Sequence, residues 1–119
     1  MNDEERRELG RRTFAEVNGF DVPEIATPIT ELTVDHVFGE IWNRPGLTRK
    51  ERRWMAITSV TAASAETALK FHVTAALASG DITIDEMREA VAHIAVYQGF
   101  PKATILNSAV EAAWRDLDH

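Results

Sequence analysis

The stretch that decides the fold is residues 83–101, Thr83-Ile84-Asp85-Glu86-Met87-Arg88-Glu89-Ala90-Val91-Ala92-His93-Ile94-Ala95-Val96-Tyr97-Gln98-Gly99-Phe100-Pro101. Thr83 and Glu86 stand at the first and fourth positions of a capping box, where hydroxyl and carboxylate satisfy two helix-end N–H groups reciprocally. Met87, Val91, Ile94 and Ala95 then recur at helical spacing and make one apolar face. Gly99 falls where a helix closes on a left-handed residue. Pro101 suits the first turn of a following helix, where its missing N–H costs nothing. The stretch therefore encodes one bounded helix and the start of another.

The same grammar extends outward. Downstream, Ile105, Leu106, Ala109, Val110, Ala113, Trp114 and Leu117 give the last helix its apolar face. Upstream, Ser64 is the expected cap of a helix carrying Leu69, Val73, Ala76 and Leu77 and ending at Gly80. Thr48-Arg49-Lys50-Glu51 reads as another capping box, opening a helix with Trp54, Met55, Ile57, Val60, Ala62 and Ala63. Val34, Val37, Phe38, Ile41 and Trp42 predict a further helix, stopped by Arg44-Pro45-Gly46 and preceded by an irregular link bracketed by Pro23 and Pro28. A first helix is expected over 3–18, with acidic residues early, Leu9, Phe14 and Val17 as its stripe, and Gly19 closing it. No stretch alternates with period two, and no Asn-Gly or Asp-Gly hairpin turn occurs. The expectation is an all-α, single-domain helical bundle of five to six helices.

Composition narrows the function. The chain has 119 residues, and its 13 basic against 19 acidic side chains give a net charge of −6, which argues against a nucleic-acid partner. There is no cysteine, so disulfides, thiolate metal ligands and thiol catalysis are all excluded. That composition suits a reducing, cytoplasmic location. No apolar run approaches the roughly 20 residues of a membrane span, and no apolar leader segment follows Met1. Charge is uneven: Arg44, Arg49, Lys50, Arg52 and Arg53 stand close together against Glu51 alone. Such a cluster either holds a small anion or is spent on intramolecular pairs. Glu89, His93 and Tyr97 share one helix face and make a second polar stripe. That stripe is either a pocket wall or a solvated or intersubunit face. It lacks the ligand spacing of a metal site, so no metal is expected.

Phe38-Gly39-Glu40-Ile41-Trp42-Asn43-Arg44-Pro45-Gly46-Leu47, Arg52, the helix carrying His72, the Gly80 turn and His93-Ile94-Ala95-Val96-Tyr97-Gln98-Gly99-Phe100-Pro101 together resemble the carboxymuconolactone decarboxylase family. Residues 35–117 match its domain in order and spacing, and residues 1–34 resemble the N-terminal helix and linker extension of the decarboxylase branch. The resemblance implies an alkyl hydroperoxidase D-like helical fold that assembles into homo-oligomers, hexamer or trimer. It implies one of two chemistries. The peroxidase branch uses a Cys-x-x-Cys pair; here the corresponding positions are Ala65 and Ala68, which excludes thiol peroxidase activity. The other branch decarboxylates γ-carboxymuconolactone in aromatic catabolism without a cofactor. Glu66 keeps one carboxylate of the acid-rich segment typical of that branch, and Ala68 departs from it.

That chemistry needs three things from a protein. A cation must hold the anionic substrate, a donor must stabilise the developing oxyanion, and an acid must protonate carbon. The resemblance makes His72 the first candidate for acid or oxyanion donor, with Glu66, His93 and Tyr97 as further catalytic candidates. The alternative for His72 is a satisfied core histidine. Arg44 and Arg52 are the candidate carboxylate forks, with Trp42 beside Arg44 as an aromatic wall. The competing reading for Arg44 is a pair with Glu40 one turn before it. The leading expectation is therefore a cofactor-independent lyase acting on a small anionic lactone. The alternatives are a non-catalytic oligomeric binding protein of the same fold, or an isomerase or hydrolase of a related lactone acid.

Overall fold

The structure is a computed structural model, and it describes residues 1–117. Among them every regular element is helical: α1 Asp3–Asn18, α2 Pro28–Leu32, a π-helical turn Thr33–Phe38, a 3₁₀ turn Ile41–Asn43, α3 Arg49–Ala62, α4 Glu66–Ser79, α5 Ile84–Gln98 and α6 Phe100–Asp116. No helix among these residues is long and apolar enough to cross a membrane. They form two compact units, Met1–Arg49 and the residues from Lys50 onward.

In the first unit, α1 has the predicted bounds. Its start carries a capping box that sequence reading did not single out: Asn2 Oδ1 accepts from the Glu5 N–H at 2.8 Å, and the Glu5 carboxylate accepts from the Asn2 N–H at 3.3 Å. Gly19 closes the helix at φ +84°. Phe14 is the centre of an aromatic cluster, edge-on to Phe38 (centroids 5.1 Å) and to Phe20 (5.4 Å).

The helix expected from the 34/37/38/41/42 spacing is not one α-helix. Pro28 is the first residue of α2 instead of part of the link, and after Leu32 the backbone widens into the π turn, bends at Gly39–Glu40 and tightens into the 3₁₀ turn. The reason is close packing of backbone against backbone. A Cβ on Gly10 of α1 would lie 2.0 Å from the Val34 carbonyl oxygen, and one on Gly39 would lie 2.9 Å from the Arg6 carbonyl oxygen. Only residues without side chains permit these approaches. Carbonyls exposed by the irregular winding need other donors. The Asn43 carboxamide donates to the Phe38 carbonyl at 2.7 Å and to Thr13 Oγ1 at 3.1 Å. Arg7 grips Asp35 with a two-pronged fork, at 2.9 and 2.7 Å.

In the second unit, Ile57, Leu69, Val73, Met87, Ile94, Leu106 and Val110 belong to one buried core drawn from all four helices. The Thr83–Glu86 capping box forms as predicted. Gly99, at φ +93°, joins α5 to α6 through a single residue, and the two helices pack on one another. Ser64 departs from expectation. It sits in the left-handed region at φ +56°, while the Ala65 N–H donates to the Val60 carbonyl, so Ser64 closes α3 and does not cap α4. That is the Schellman arrangement, and Ala65 occupies the cap position of α4.

Replacing a helical glycine with alanine ordinarily stabilises. At Gly10 the sign reverses, because the new methyl meets the Val34 carbonyl, which cannot yield without moving the π turn. Gly10→Ala is expected to cost about 1–3 kcal/mol, the range for overpacking, read as a lowered denaturation midpoint in guanidinium chloride. A midpoint at or above that of the parent would contradict the close approach.

Candidate active site

His72 lies on α4, one position before the fully buried Val73, and is itself partly buried. The Phe71 ring is its neighbour, with centroids 4.9 Å apart. Burial, and after it the charge of Arg53, pushes the imidazole down to about 4. At neutral pH it carries one proton and no charge, a hydrogen-bond donor on one nitrogen and an acceptor on the other.

Arg53 was not among the predicted site residues, yet it is the buried cation of this unit, 2% exposed. Its Nε donates to Asp81 Oδ2 at 2.8 Å. The signal that could have found it is register. Arg53, Ile57 and Thr61 are spaced by four and are the buried residues of α3. Charge type alone makes Arg52 and Arg53 equivalent; their positions on the helix do not. Arg52 is half-buried, and Arg44 is exposed with Glu40 at 4.0 Å.

The basic cluster is largely spent on pairs. Besides Arg44 and Glu40, Arg49 reaches Glu16 at 3.3 Å, Lys50 reaches Glu86 at 2.5 Å and Arg53 holds Asp81. Lys50 and the Thr83 backbone keep the Glu86 carboxyl below its ordinary range. Trp42 stacks on Phe38, with centroids 5.9 Å apart and planes 21° apart.

The remaining predicted residues line separate surfaces. Glu66 borders a groove of about 560 Å³ along α4 and α6, with Leu69, Lys70, Ile105 and Arg115. Glu89 and His93 share a groove of about 510 Å³ with Trp54, Asp85 and Glu86. His72 lines neither groove. Tyr97 is 78% exposed and lies against His93, with ring centroids 5.0 Å apart. The shared face of Glu89, His93 and Tyr97 is therefore real, and it faces outward. Among the described residues no group of three or more His, Asp and Glu side chains is placed to hold a metal ion.

The chain thus combines an all-helical fold with a partly buried, uncharged histidine and no thiol. The model of the carboxymuconolactone decarboxylase family matches residues 28–113, and the chain belongs to that family. It is similar to 4-carboxymuconolactone decarboxylase of Acinetobacter baylyi, 30% identical over 98% of this chain and 92% of the relative. It is also similar to nitrosuccinic acid decarboxylase npaB of Metarhizium robertsii, 37% identical over 84% of this chain and 77% of the relative. These matches make it a carbon–carbon lyase of the carboxymuconolactone decarboxylase type.

The depressed imidazole ties stability to pH. Above about 6.5 neither the folded nor the unfolded chain protonates His72 further; between there and about 4 only the unfolded chain does. The folded state therefore loses stability as pH falls through this window. His72→Gln is expected to flatten that part of the decline in Tm. In the parent protein the imidazole resonances should titrate near 4. A midpoint near the ordinary histidine value would contradict the burial described.

Proposed function

We propose that this chain decarboxylates a small polycarboxylate that carries its own electron sink, either γ-carboxymuconolactone or a related lactone acid of aromatic catabolism. The observation that carries the reading is the uncharged, partly buried imidazole of His72 with the Arg53 charge acting on it. The two relatives are named for a lactone acid and a nitro acid. A carboxylate can leave each as CO₂ while the electrons of the broken C–C bond move onto oxygen, of a lactone carbonyl in one and of a nitro group in the other. A substrate of this kind asks the protein for placement and hydrogen bonding, not for an external sink.

In the lactone, the bond between the ring carbon and the departing carboxylate breaks. Its electron pair passes through the ring double bond to the carbonyl oxygen, leaving CO₂ and a furan-like dienolate. The His72 N–H donates to that oxygen as its charge grows, the kind of preorganised donor that is worth most where water is excluded. A neutral imidazole does this without first stabilising the substrate carboxylate as an ion pair would, so its help is concentrated in the transition state. The growing negative charge raises the basicity of the ring; its other nitrogen takes a proton from water, and the imidazolium so formed gives a proton to the dienolate carbon and returns to the neutral form. Arg52, half-buried at the start of α3, is the fork for the carboxylate that stays. Arg44 and Trp42 belong to the first unit and have Glu40 and Phe38 as neighbours there.

The test is release of CO₂ from γ-carboxymuconolactone, with nitrosuccinate as the second substrate. His72→Ala is expected to lower kcat by about 10²–10³-fold, the cost of one preorganised donor, with little change in KM. Arg52→Ala is expected to raise KM. Turnover of neither substrate by the parent protein, or an unchanged kcat in His72→Ala, would overturn the reading.

A further inference from the structure

Leu69 and Val73 of α4 share the buried core of the second unit with Leu106 and Val110 of α6, so packing fixes these two helices against one another. Along them runs the groove of about 560 Å³. The buried part of its lining is apolar and mostly small, Ala109 and Ala113 with Leu69. Small side chains let another helix come close, because the distance between packed helices follows the side chains at the contact. Four charges border the groove, Glu66 and Lys70 on α4 and Arg115 and Asp116 on α6. Elsewhere the chain spends its cations on its own carboxylates: Arg7 on Asp35, Arg49 on Glu16, Lys50 on Glu86, Arg53 on Asp81 and Arg88 on Glu111. Among the described residues none of the four groove charges takes part in an ion pair. Glu66 and Lys70 even have the spacing and order that favour a pair within one helix. Arg115 has Glu111 one turn before it, but both oxygens of that carboxylate are gripped by Arg88, at 3.1 and 2.8 Å.

We propose that the α4–α6 groove is a two-fold contact between copies of this chain, with the four charges pairing across it. A two-fold contact puts the same patch on both sides, so the patch must complement itself. This one does: two acids and two bases, whose charges cancel, border an apolar strip. The chain as a whole carries −6, so two copies repel over an average stretch of surface. The neutral sum of the groove removes that repulsion where the copies would meet. A partner of single sign, an anion or a basic peptide, would meet two like charges along with two opposite ones, which is selection against it. An apolar centre rimmed by charge is the anatomy of a protein–protein contact. Rim charges of this kind set register and partner choice, and burial of the apolar strip supplies the attraction.

The experiment is sedimentation equilibrium of the whole chain, with helicity followed by circular dichroism. The parent is expected at an even multiple of the chain mass. A monomeric parent, the outcome if the groove takes a peptide or a small molecule instead, would overturn the proposal. Two double variants then test the charges. Lys70→Glu with Arg115→Glu makes the rim wholly acidic, and Glu66→Lys with Asp116→Lys makes it wholly basic. Each alone should sediment at half the parent mass, because like charges now face one another across the contact. An equimolar mixture of the two should regain the parent mass, since acid again meets base. Either variant alone at the parent mass, or a mixture that stays at half, would count against the contact. Should a charge variant not fold, Ala112→Glu decides. It sets an acid in the groove wall with a residue that helices accept, and with helicity retained it should also halve the mass. The full parent mass in that variant would refute the proposal.

Discussion

The second unit is organised around the need to compensate one buried positive charge. Moving a guanidinium out of water costs several kcal/mol, and only a well-placed counter-ion with good geometry recovers it. Asp81 meets that need because of what precedes it. Gly80 reverses the chain at the end of α4, and the Ser79 hydroxyl takes the Asp81 N–H. A β-carbon at residue 80 would be strained in that conformation. Thr83 then starts α5 with its capping box two residues later. Helix end, counter-ion and helix start thus follow one another within five residues. The α4–α5 connection is where local chain geometry and the compensation of the Arg53 charge are the same problem.

The first unit meets a different constraint, closeness of backbone. Gly10 and Gly39 bring main-chain atoms of α1 and the π turn into contact, and each such contact leaves polar groups that need partners. Asn43 and Thr13 supply them with a small, partly buried network, and Asp35, at the same turn, is held by Arg7, whose fork keeps its carboxyl below the ordinary range. Mutual support of this kind explains why a local irregularity persists. Rewinding the π turn into an α-helix would rotate Val34 and Phe38, both buried, out of register with α1.

Helices with strong end signals were legible from residue types alone. The bounds of α1 and the Thr83 box of α5 follow from caps and glycines whose chemistry is local. The π turn was not legible, because the 34/37/38/41/42 spacing satisfies a helical period and nothing in that spacing reports a carbonyl of Val34 pressed on Gly10. Ser64 was misread for a related reason. A serine is a good N-cap and a tolerable left-handed residue, and only the Ala65-to-Val60 hydrogen bond decides between the two. At the site, His72 was reached through resemblance, whereas its protonation state depends on how deeply α4 is packed. The basic cluster advertised five cations with equal voice. Packing turned Arg53 inward and gave Arg44, Arg49 and Lys50 carboxylates of their own.

A histidine held uncharged by burial and a neighbouring cation is a poor acid toward a resting substrate and a good donor toward a new anion. That asymmetry suits the loss of CO₂ from a molecule with its own sink. The substrate arrives with its negative charge on carboxylates, and the transition state moves charge to an oxygen that began neutral. A fully charged imidazolium would bind the ground-state carboxylates as well as the emerging oxyanion, and uniform binding of that sort does not lower the barrier. A neutral N–H gains most when charge appears in front of it. In the reaction proposed above, the ring becomes more basic because of the charge it stabilises, so the condition that makes it a selective donor also prepares it for proton transfer. On that proposal, the depressed basicity of His72 is a property of the resting protein that the reaction itself reverses.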